Sequence, residues 1–173
     1  MKLNGSKENL YKILLAKEQR AERQRELIDF YKCCLISFTL NIPGENKNDA
    51  AFNKVYIEGI KEIESLLKNN CIEIVYKEER QSAAGFESFI CSGGNELFIK
   101  KFMVELEETH RYGRLFDIDV LNSRGEQISR RILNVKPRRC LVCDEAAVIC
   151  VRKRAHSLDE IYSKLNNILS EEK

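Results

Sequence analysis

GRLFDIDVL, residues 113–121, alternates apolar and acidic side chains over its second half, as a half-buried β-strand does. Successive residues of a strand point to opposite sides of the sheet, so Asp117 and Asp119 would project together from one side. The other side would consist of Phe116, Ile118 and Val120. The sequence therefore predicts a strand that packs on one side and presents two neighbouring carboxylates on the other.

The residues after this strand predict a β-hairpin. NSRG (122–125) has the composition of a four-residue turn, and EQISRRIL (126–133) would be the returning strand. In that register Asp117 would lie opposite Arg130, so an arginine-paired surface is one interpretation of the two acids.

Helices and further strands flank the predicted hairpin. Asn95 is expected to cap a helix that ends near Gly113, and Ser157 with Glu160 forms the capping box of the last helix. Other helices are predicted over residues 6–30 and 49–68, and strands over residues 35–42, 71–76 and 86–91. Residues 136–156 are expected to be irregular or partly extended.

These elements predict an α+β fold. A small mixed sheet, whose hairpin carries the DxD pair, would pack with about four helices in a single domain over residues 1–173. The chain is 43% hydrophobic and 32% charged, with eight glycines and two prolines, which excludes a low-complexity protein.

The cysteine content and the absence of long apolar runs predict a cytoplasmic protein. The amino terminus is polar, so we expect no secretory signal peptide, and no apolar run is long enough to span a membrane. Seven cysteines without a signal peptide are typical of reduced thiols in the cytoplasm.

Positive charge is concentrated in one segment. The net charge is only +2, but residues 130–154 contain eight basic and two acidic side chains. Such a segment attracts anions, or is a solvated basic face. RNA is disfavoured as a partner because residues 122–161 contain no Phe, Tyr or Trp on which a base could stack.

The two aspartates predict a cation site. Adjacent carboxylates repel unless a cation lies between them, and Mg²⁺ prefers such hard oxygen ligands together with substrate phosphates. Glu107 and His110 lie just upstream, three residues apart on one predicted helix face. His110 is a candidate general base, and the alternative is a helix-end cap.

A cysteine–histidine run predicts a second kind of metal site. Cys140, Cys143, Cys150 and His156 supply a Cys₃His ligand set suited to structural zinc. Two alternatives stay open at this point: Cys150 as a buried apolar residue, and the Cys-x2-Cys pair as reduced thiols or a redox dithiol.

Several segments together resemble a known family. LLAKEQRAERQ (14–24), SFTLNIPGENK (37–47), ELEETHRYGRLFDIDVL (105–121), ISRR (128–131) and PRRCLVCDEAAVICVRKRAHSLDE (137–160) are similar, in this order, to the citrate lyase holo-acyl-carrier-protein synthase family (CitX). These enzymes are also called apo-citrate lyase phosphoribosyl-dephospho-CoA transferases.

The resemblance implies a nucleotidyltransferase-type reaction. The prosthetic group of 2′-(5″-triphosphoribosyl)-3′-dephospho-CoA would pass to a serine of the citrate lyase acyl carrier protein (gamma chain), and pyrophosphate would leave. The Asp117-Ile118-Asp119 pattern also resembles the metal-binding pair of polymerase-β-like nucleotidyltransferases, and Gly93-Gly94 lies in the corresponding order.

This chemistry assigns expected roles to charged residues. Asp117 and Asp119 would bind Mg²⁺, and guanidinium groups would grip the triphosphate bidentately. The phosphate-binding candidates are Arg114, Arg130, Arg131, Lys47, Arg20 and Arg23. Arg138 and Arg139 would bind the donor or dock an acidic carrier protein.

Two other functions stay open on the sequence. One is a non-catalytic, zinc-stabilised basic module that binds an acidic protein or RNA. The other is a transferase that uses the same donor on a malonate-lyase-type carrier.

Overall fold

The molecule is described by a computed structural model over residues 3–44 and 46–170. The helices are α1 (Leu3–Tyr31), α2 (Ala50–Asn69), α3 (Glu96–Thr109), α4 (Ala147–Lys153) and α5 (Leu158–Ser170). The strands are β1 (Cys34–Leu40), β2 (Ile74–Ser82), β3 (Gly85–Ser92) and β4 (Phe116–Leu121). Two short 3₁₀ helices span Gly113–Leu115 and Arg130–Leu133.

The strands form one sheet in the order β2-β3-β1-β4, and each neighbouring pair is antiparallel. The α+β class is therefore confirmed, although the sheet is antiparallel where a mixed one was expected. Both predicted caps are present: the Asn95 side chain accepts the N–H groups of Leu97 and Phe98, and Ser157 and Glu160 bond reciprocally.

The sheet has one apolar face and one face that changes from apolar to polar. Phe38, Ile118 and Val120 lie on the first, in the main core with α2 and α3. On the second, Leu27 and Ile28 of α1 cover the apolar end. Its other end is polar because Thr39 lies opposite Asp117 and opposite Glu87.

Charged side chains close the free edge of β4. The Glu107 carboxylate accepts the N–H of Ile118 at 3.0 Å, and Lys100 Nζ donates to the Ile118 carbonyl at 2.9 Å. Arg138 donates to the Phe116 carbonyl. An unpaired strand edge is an aggregation hazard, and here α3 and the segment after β4 satisfy its backbone groups.

The predicted returning strand over residues 126–133 is wrong. Backbone pairing after the turn is limited to one bridge between Leu121 and Gln127. Its two bonds run from the Asn122 N–H to the Glu126 carbonyl and from the Ile128 N–H to the Val120 carbonyl. Arg130 then turns away from the strand, because its guanidinium binds Glu107 at 2.6 Å and Glu108 at 2.7 Å. The segment consequently forms a 3₁₀ helix, and Asp117 has Arg138 as its arginine partner.

Among the charged residues at the edge of β4, we expect substitution of Glu107 to lower the stability of the fold most. Glu107→Ala leaves the Ile118 N–H and the guanidinium of Arg130 without their buried acceptor, so the free energy of unfolding should fall by about 3 kcal/mol. Glu108→Ala is the matched control, since the Glu108 side chain is 52% exposed and its pairing with Arg130 should contribute less than about 1 kcal/mol. Urea unfolding of both variants measures the difference, and equal losses would contradict this role of Glu107.

Two further features differ from the sequence-based expectation. The segment 136–156 contains α4, and residues 3–44 and 46–170 form five α-helices where about four were expected. Within residues 3–44 and 46–170, no helix combines the length and apolarity needed to cross a bilayer.

Candidate active site and cysteine–histidine cluster

Asp117 and Asp119 open into a cleft between β4, β1 and α1. The cleft has a volume of about 340 Å³. Its basic residues are Lys17, Arg20 and Lys47. The fold therefore brings the aspartate pair together with two of the predicted anion-binding residues, Arg20 and Lys47.

The electrostatics of Asp119 indicate a place for a cation. Burial raises the pKa of its carboxyl, and the neighbouring charge of Asp117 raises it further. Lys100 and a hydrogen bond from the Gln127 amide offset these effects only in part. A bound cation would relieve the repulsion, so the pair fits a hard divalent ion.

Asp117 is held from one side by an arginine. Arg138 Nη1 lies 2.9 Å from the Asp117 carboxylate, and its other nitrogen donates to the carbonyls of Arg114 and Phe116. The Asp117 side chain remains 48% exposed to the cleft. Asp117 can therefore pair with Arg138 and still face the cleft.

The basic residues of the cleft differ in how they are held. Arg20 binds Glu87 at 2.7 Å, and Lys47 donates to the Ile42 carbonyl. Burial lowers the pKa of Lys47, and the charges of Lys17 and Arg20 lower it further. The cleft that contains the aspartates therefore also contains three basic residues, of which Arg20 is paired with Glu87. Arg23 instead binds Glu78 on β2 and Glu26 on its own helix.

The structure places Glu107 at the edge of β4 and His110 on the other face of that strand from the aspartates. Helix α3 ends at Thr109, so His110 has extended backbone and leaves the helix face. Its ring stacks on Phe116, on the face of β4 opposite the aspartates, and its Nε2 lies 3.3 Å from Glu58. Both oxygens of Glu107 are bound, as described above. The prediction of His110 as general base is therefore not supported by the geometry.

The remaining arginines lie on the far side of Arg138. A cavity of about 380 Å³ is lined by Arg114, Arg130, Arg138, Arg139, Glu107 and Glu108, among others. Arg114 also donates to the carbonyl of Cys140, and Arg131 is exposed on the 3₁₀ helix. Arg138 is thus the one predicted arginine in direct contact with an aspartate of the pair.

The cysteine–histidine cluster is assembled in the fold. The ligand atoms of Cys140, Cys143, Cys150 and His156 all lie within 4.8 Å of one another, and this group could hold a metal such as zinc. Tetrahedral coordination with Zn–S bonds of about 2.3 Å places ligand atoms about 3.8 Å apart, so these separations are compatible with such a site. His156 Nε2 is buried and has no hydrogen-bond partner among the described residues, as expected of a nitrogen that faces a metal.

A short backbone frame holds the four ligands. Arg139 and Ala146 form a bridge, so the Cys-x2-Cys pair lies in the loop between them. Burial opposes ionisation of Cys140, but the N–H groups of Cys143 and Val142 outweigh it and lower its pKa to about 7. Cys150 comes from α4, and this helix ends in the left-handed Arg154, which directs the chain to His156.

Comparison with known proteins identifies the family. A family model described as CitX, apo-citrate lyase phosphoribosyl-dephospho-CoA transferase, matches residues 8–172. The chain belongs to this family. The match includes the aspartate strand, the arginines around it and all four ligands of the cysteine–histidine cluster.

Individual CitX relatives match most of the chain. A protein of Shigella boydii named apo-citrate lyase phosphoribosyl-dephospho-CoA transferase is 30% identical over 159 residues, which are 92% of this chain and 87% of the relative. An Escherichia coli protein of the same name gives the same values. "Protein CitXG" of Haemophilus influenzae is 35% identical over 164 residues, 95% of this chain, and the chain spans only 35% of that relative.

Several residues of the site were not predicted. Lys100 donates to the Ile118 carbonyl of β4, and Gln127 donates to the Asp119 carboxylate. Thr39 and Asn41 line the aspartate cleft. Only the pairing of β1 with β4 places Thr39 and Asn41 there, and sequence spacing carries no signal for it. Lys100 lies on the inward face of a helix that the sequence predicted. A charged residue on that face could have been recognised as a candidate site residue.

Proposed function

We propose that the protein transfers the 2′-(5″-phosphoribosyl)-3′-dephospho-CoA group from its 5″-triphosphate donor to a serine of the citrate lyase acyl carrier protein. The observation that carries this proposal is the pair of Asp117 and Asp119, side by side in a cleft with Lys17, Arg20 and Lys47. Membership of the CitX family supports the identity of the donor and acceptor.

The proposed step is a phosphoryl-group displacement. The serine Oγ forms a bond to the phosphorus nearest the ribose, and the bond from that phosphorus to the bridging oxygen of pyrophosphate breaks. The serine gives up its proton, pyrophosphate leaves, and a phosphodiester joins the group to the carrier. Such a reaction asks the protein mainly for positioning and for neutralisation of charge.

Mg²⁺ is the proposed cofactor of this cleft. Asp117 and Asp119 would hold it, since they offer the carboxylate oxygens that Mg²⁺ prefers. When bound, the ion would supply neutralisation of the charge that develops on the leaving pyrophosphate. The raised pKa of Asp119 supports this assignment, because that carboxylate is poorly compensated by its protein neighbours.

The basic groups have distinct proposed roles. Arg20 and Lys47 would bind the triphosphate, and Arg138 would position Asp117. Arg130 acts through Glu107 on the edge of β4, and we propose it as a positioning residue. The general base stays unassigned, since His110 lies on the other face of the sheet.

We further infer that Cys140, Cys143, Cys150 and His156 bind one structural Zn²⁺. Their mutual distances and the unpartnered His156 nitrogen support zinc over a redox dithiol. All seven cysteines, which lie within the described residues, carry free thiols. We propose that the chain works as one domain in the cytoplasm, where thiols stay reduced.

Mass spectrometry of the carrier tests the proposal. The protein is incubated with the triphosphoribosyl donor, Mg²⁺ and apo carrier, and the carrier is then weighed. We expect a mass gain equal to the phosphoribosyl-dephospho-CoA group on the citrate lyase carrier. A malonate-lyase-type carrier assayed in parallel distinguishes the related transferase, and no mass gain on either carrier would contradict the proposal.

A further inference from the structure

A second cavity lies beside the cysteine–histidine cluster. It has a volume of about 570 Å³, within the range of small-molecule sites. Most of its wall is apolar. The apolar lining comes from α4, α5 and two loops, and includes Pro43, Leu141, Val142, Val151, Leu158 and Ile161. Val151 and Leu158 are 76% and 62% exposed, so the protein leaves apolar surface uncovered at the mouth.

Four arginines also line this cavity. The four arginines are Arg114, Arg138, Arg139 and Arg154. Arg138 pairs with Asp117 at 2.9 Å, and Arg139 lies 3.5 Å from Asp144, which is 92% exposed. An apolar wall with an arginine rim selects a ligand that has both an apolar body and phosphate groups. A simple inorganic anion would leave the wall uncovered, and an uncharged apolar ligand would leave the exposed Arg139 and Arg154 without a phosphate to bind. Arg114 and Arg138 already donate to the Cys140 carbonyl and to Asp117.

The cavity adjoins the aspartate cleft. Asn41 lines both spaces, and Arg138 lines the cavity while its guanidinium contacts Asp117. A ligand that fills the cavity can therefore extend past Arg138 to the aspartates. The donor has this form, because its reacting triphosphate is joined to a nucleotide that carries a pyrophosphate and a pantetheine arm with apolar methyl and methylene groups.

We infer that this cavity binds the dephospho-CoA part of the donor, with its apolar wall against the pantetheine arm and adenine, and its arginines on the pyrophosphate. This inference rests on the proposed function. The cysteine–histidine cluster would then also contribute to the substrate site, since Cys140 and Cys150 form part of the cavity wall. The cluster would thus hold one side of the substrate site in shape.

Tryptophan substitutions at the mouth test the inference. The chain contains no tryptophan, so Leu158→Trp and Val151→Trp each narrow the cavity and also introduce a single fluorophore. We expect the KM for the donor to rise at least about 10-fold, with kcat at saturating donor and the KM for the carrier unchanged. Val148→Trp is the matched control, because Val148 is on the same helix as Val151, is 51% exposed and lies outside the cavity lining.

Dephospho-CoA alone provides the binding probe. Calorimetric titration should show binding to the wild-type protein and to Val148→Trp, and weaker binding to the two mouth variants, each checked for retained zinc. Absence of binding to the wild-type protein would overturn the inference even if transfer occurs. Unchanged donor KM in both mouth variants, or a rise in the carrier KM instead, would also overturn it and leave the proposed function standing. Failure of the wild-type protein to transfer would contradict the proposed function alone.

Discussion

Asp119→Asn should abolish transfer while making the folded protein more stable. The amide keeps the shape of the side chain and an oxygen that can accept from Gln127. It loses the negative charge that would hold Mg²⁺ beside the triphosphate, so transfer should fall at least about 100-fold. The same change removes a carboxylate whose ionisation is disfavoured in the folded state.

The direction of the stability change follows from the pKa of Asp119. Burial first, and then the charge of Asp117, raise this pKa above its ordinary value of 3.8. Ionisation of Asp119 therefore lowers the free energy of unfolding. This loss is absent below pH 3.8, grows as the pH rises from there to the raised pKa, and is complete above that pKa. The variant should melt at a higher temperature than the wild-type protein at neutral pH, and this difference should disappear in acid.

Two comparisons separate a metal role from a general loss of activity. Mg²⁺ should raise the melting temperature of the wild-type protein and not that of Asp119→Asn. Lys47→Ala, on the opposite side of the same cleft, should lose less activity than Asp119→Asn. Similar high activity in the two variants would refute the assignment of a metal to the aspartates.

Cys143→Ser should release zinc and disable the enzyme by a different route. Loss of one thiolate weakens a four-ligand site whose binding energy contributes to folding. The backbone frame that carries Arg138 and Arg139 directly precedes Cys140, so its release would also free Asp117 from its arginine partner. We expect one zinc per wild-type chain, less than one tenth as much in the variant, a lower melting temperature and transfer reduced at least about 10-fold.

The matched control for this change is Cys71→Ser. Cys71 is an exposed free thiol near the start of β2 and lies outside the cluster. Its substitution should leave zinc content, melting temperature and transfer at wild-type levels. Metal analysis under reducing conditions that finds no zinc in the wild-type protein would remove the structural-metal proposal, and the cluster would then be a group of reduced thiols.

The parts of the fold that local chemistry specifies could be predicted from the sequence. The alternation of FDIDV placed Asp117 and Asp119 on the same side of β4, because strand geometry leaves no other arrangement. The capping residues Asn95 and Ser157 marked helix starts by bonds that involve only their own turn. The Cys₃His ligands were also visible, although their arrangement around a common point was not.

The arrangements that the sequence did not predict are contacts between distant segments. The predicted returning strand does not form because Arg130 binds two carboxylates of α3 instead of pairing with β4. A sequence pattern does not show which of these contacts is preferred. His110 leaves the aspartates because its ring packs on Phe116 instead. Asp117 pairs with Arg138, 21 residues away, where hairpin geometry had indicated Arg130. Tertiary packing decides each of these cases.

The most direct test of the central claim couples two products of one reaction. Wild-type protein, donor, Mg²⁺ and apo citrate lyase carrier are mixed, and pyrophosphate release is measured beside the intact mass of the carrier. The proposal predicts one pyrophosphate for each phosphoribosyl-dephospho-CoA group attached, with neither product formed by Asp119→Asn or with a carrier whose acceptor serine is replaced by alanine. An unmodified carrier, or modification without release of pyrophosphate, would contradict it.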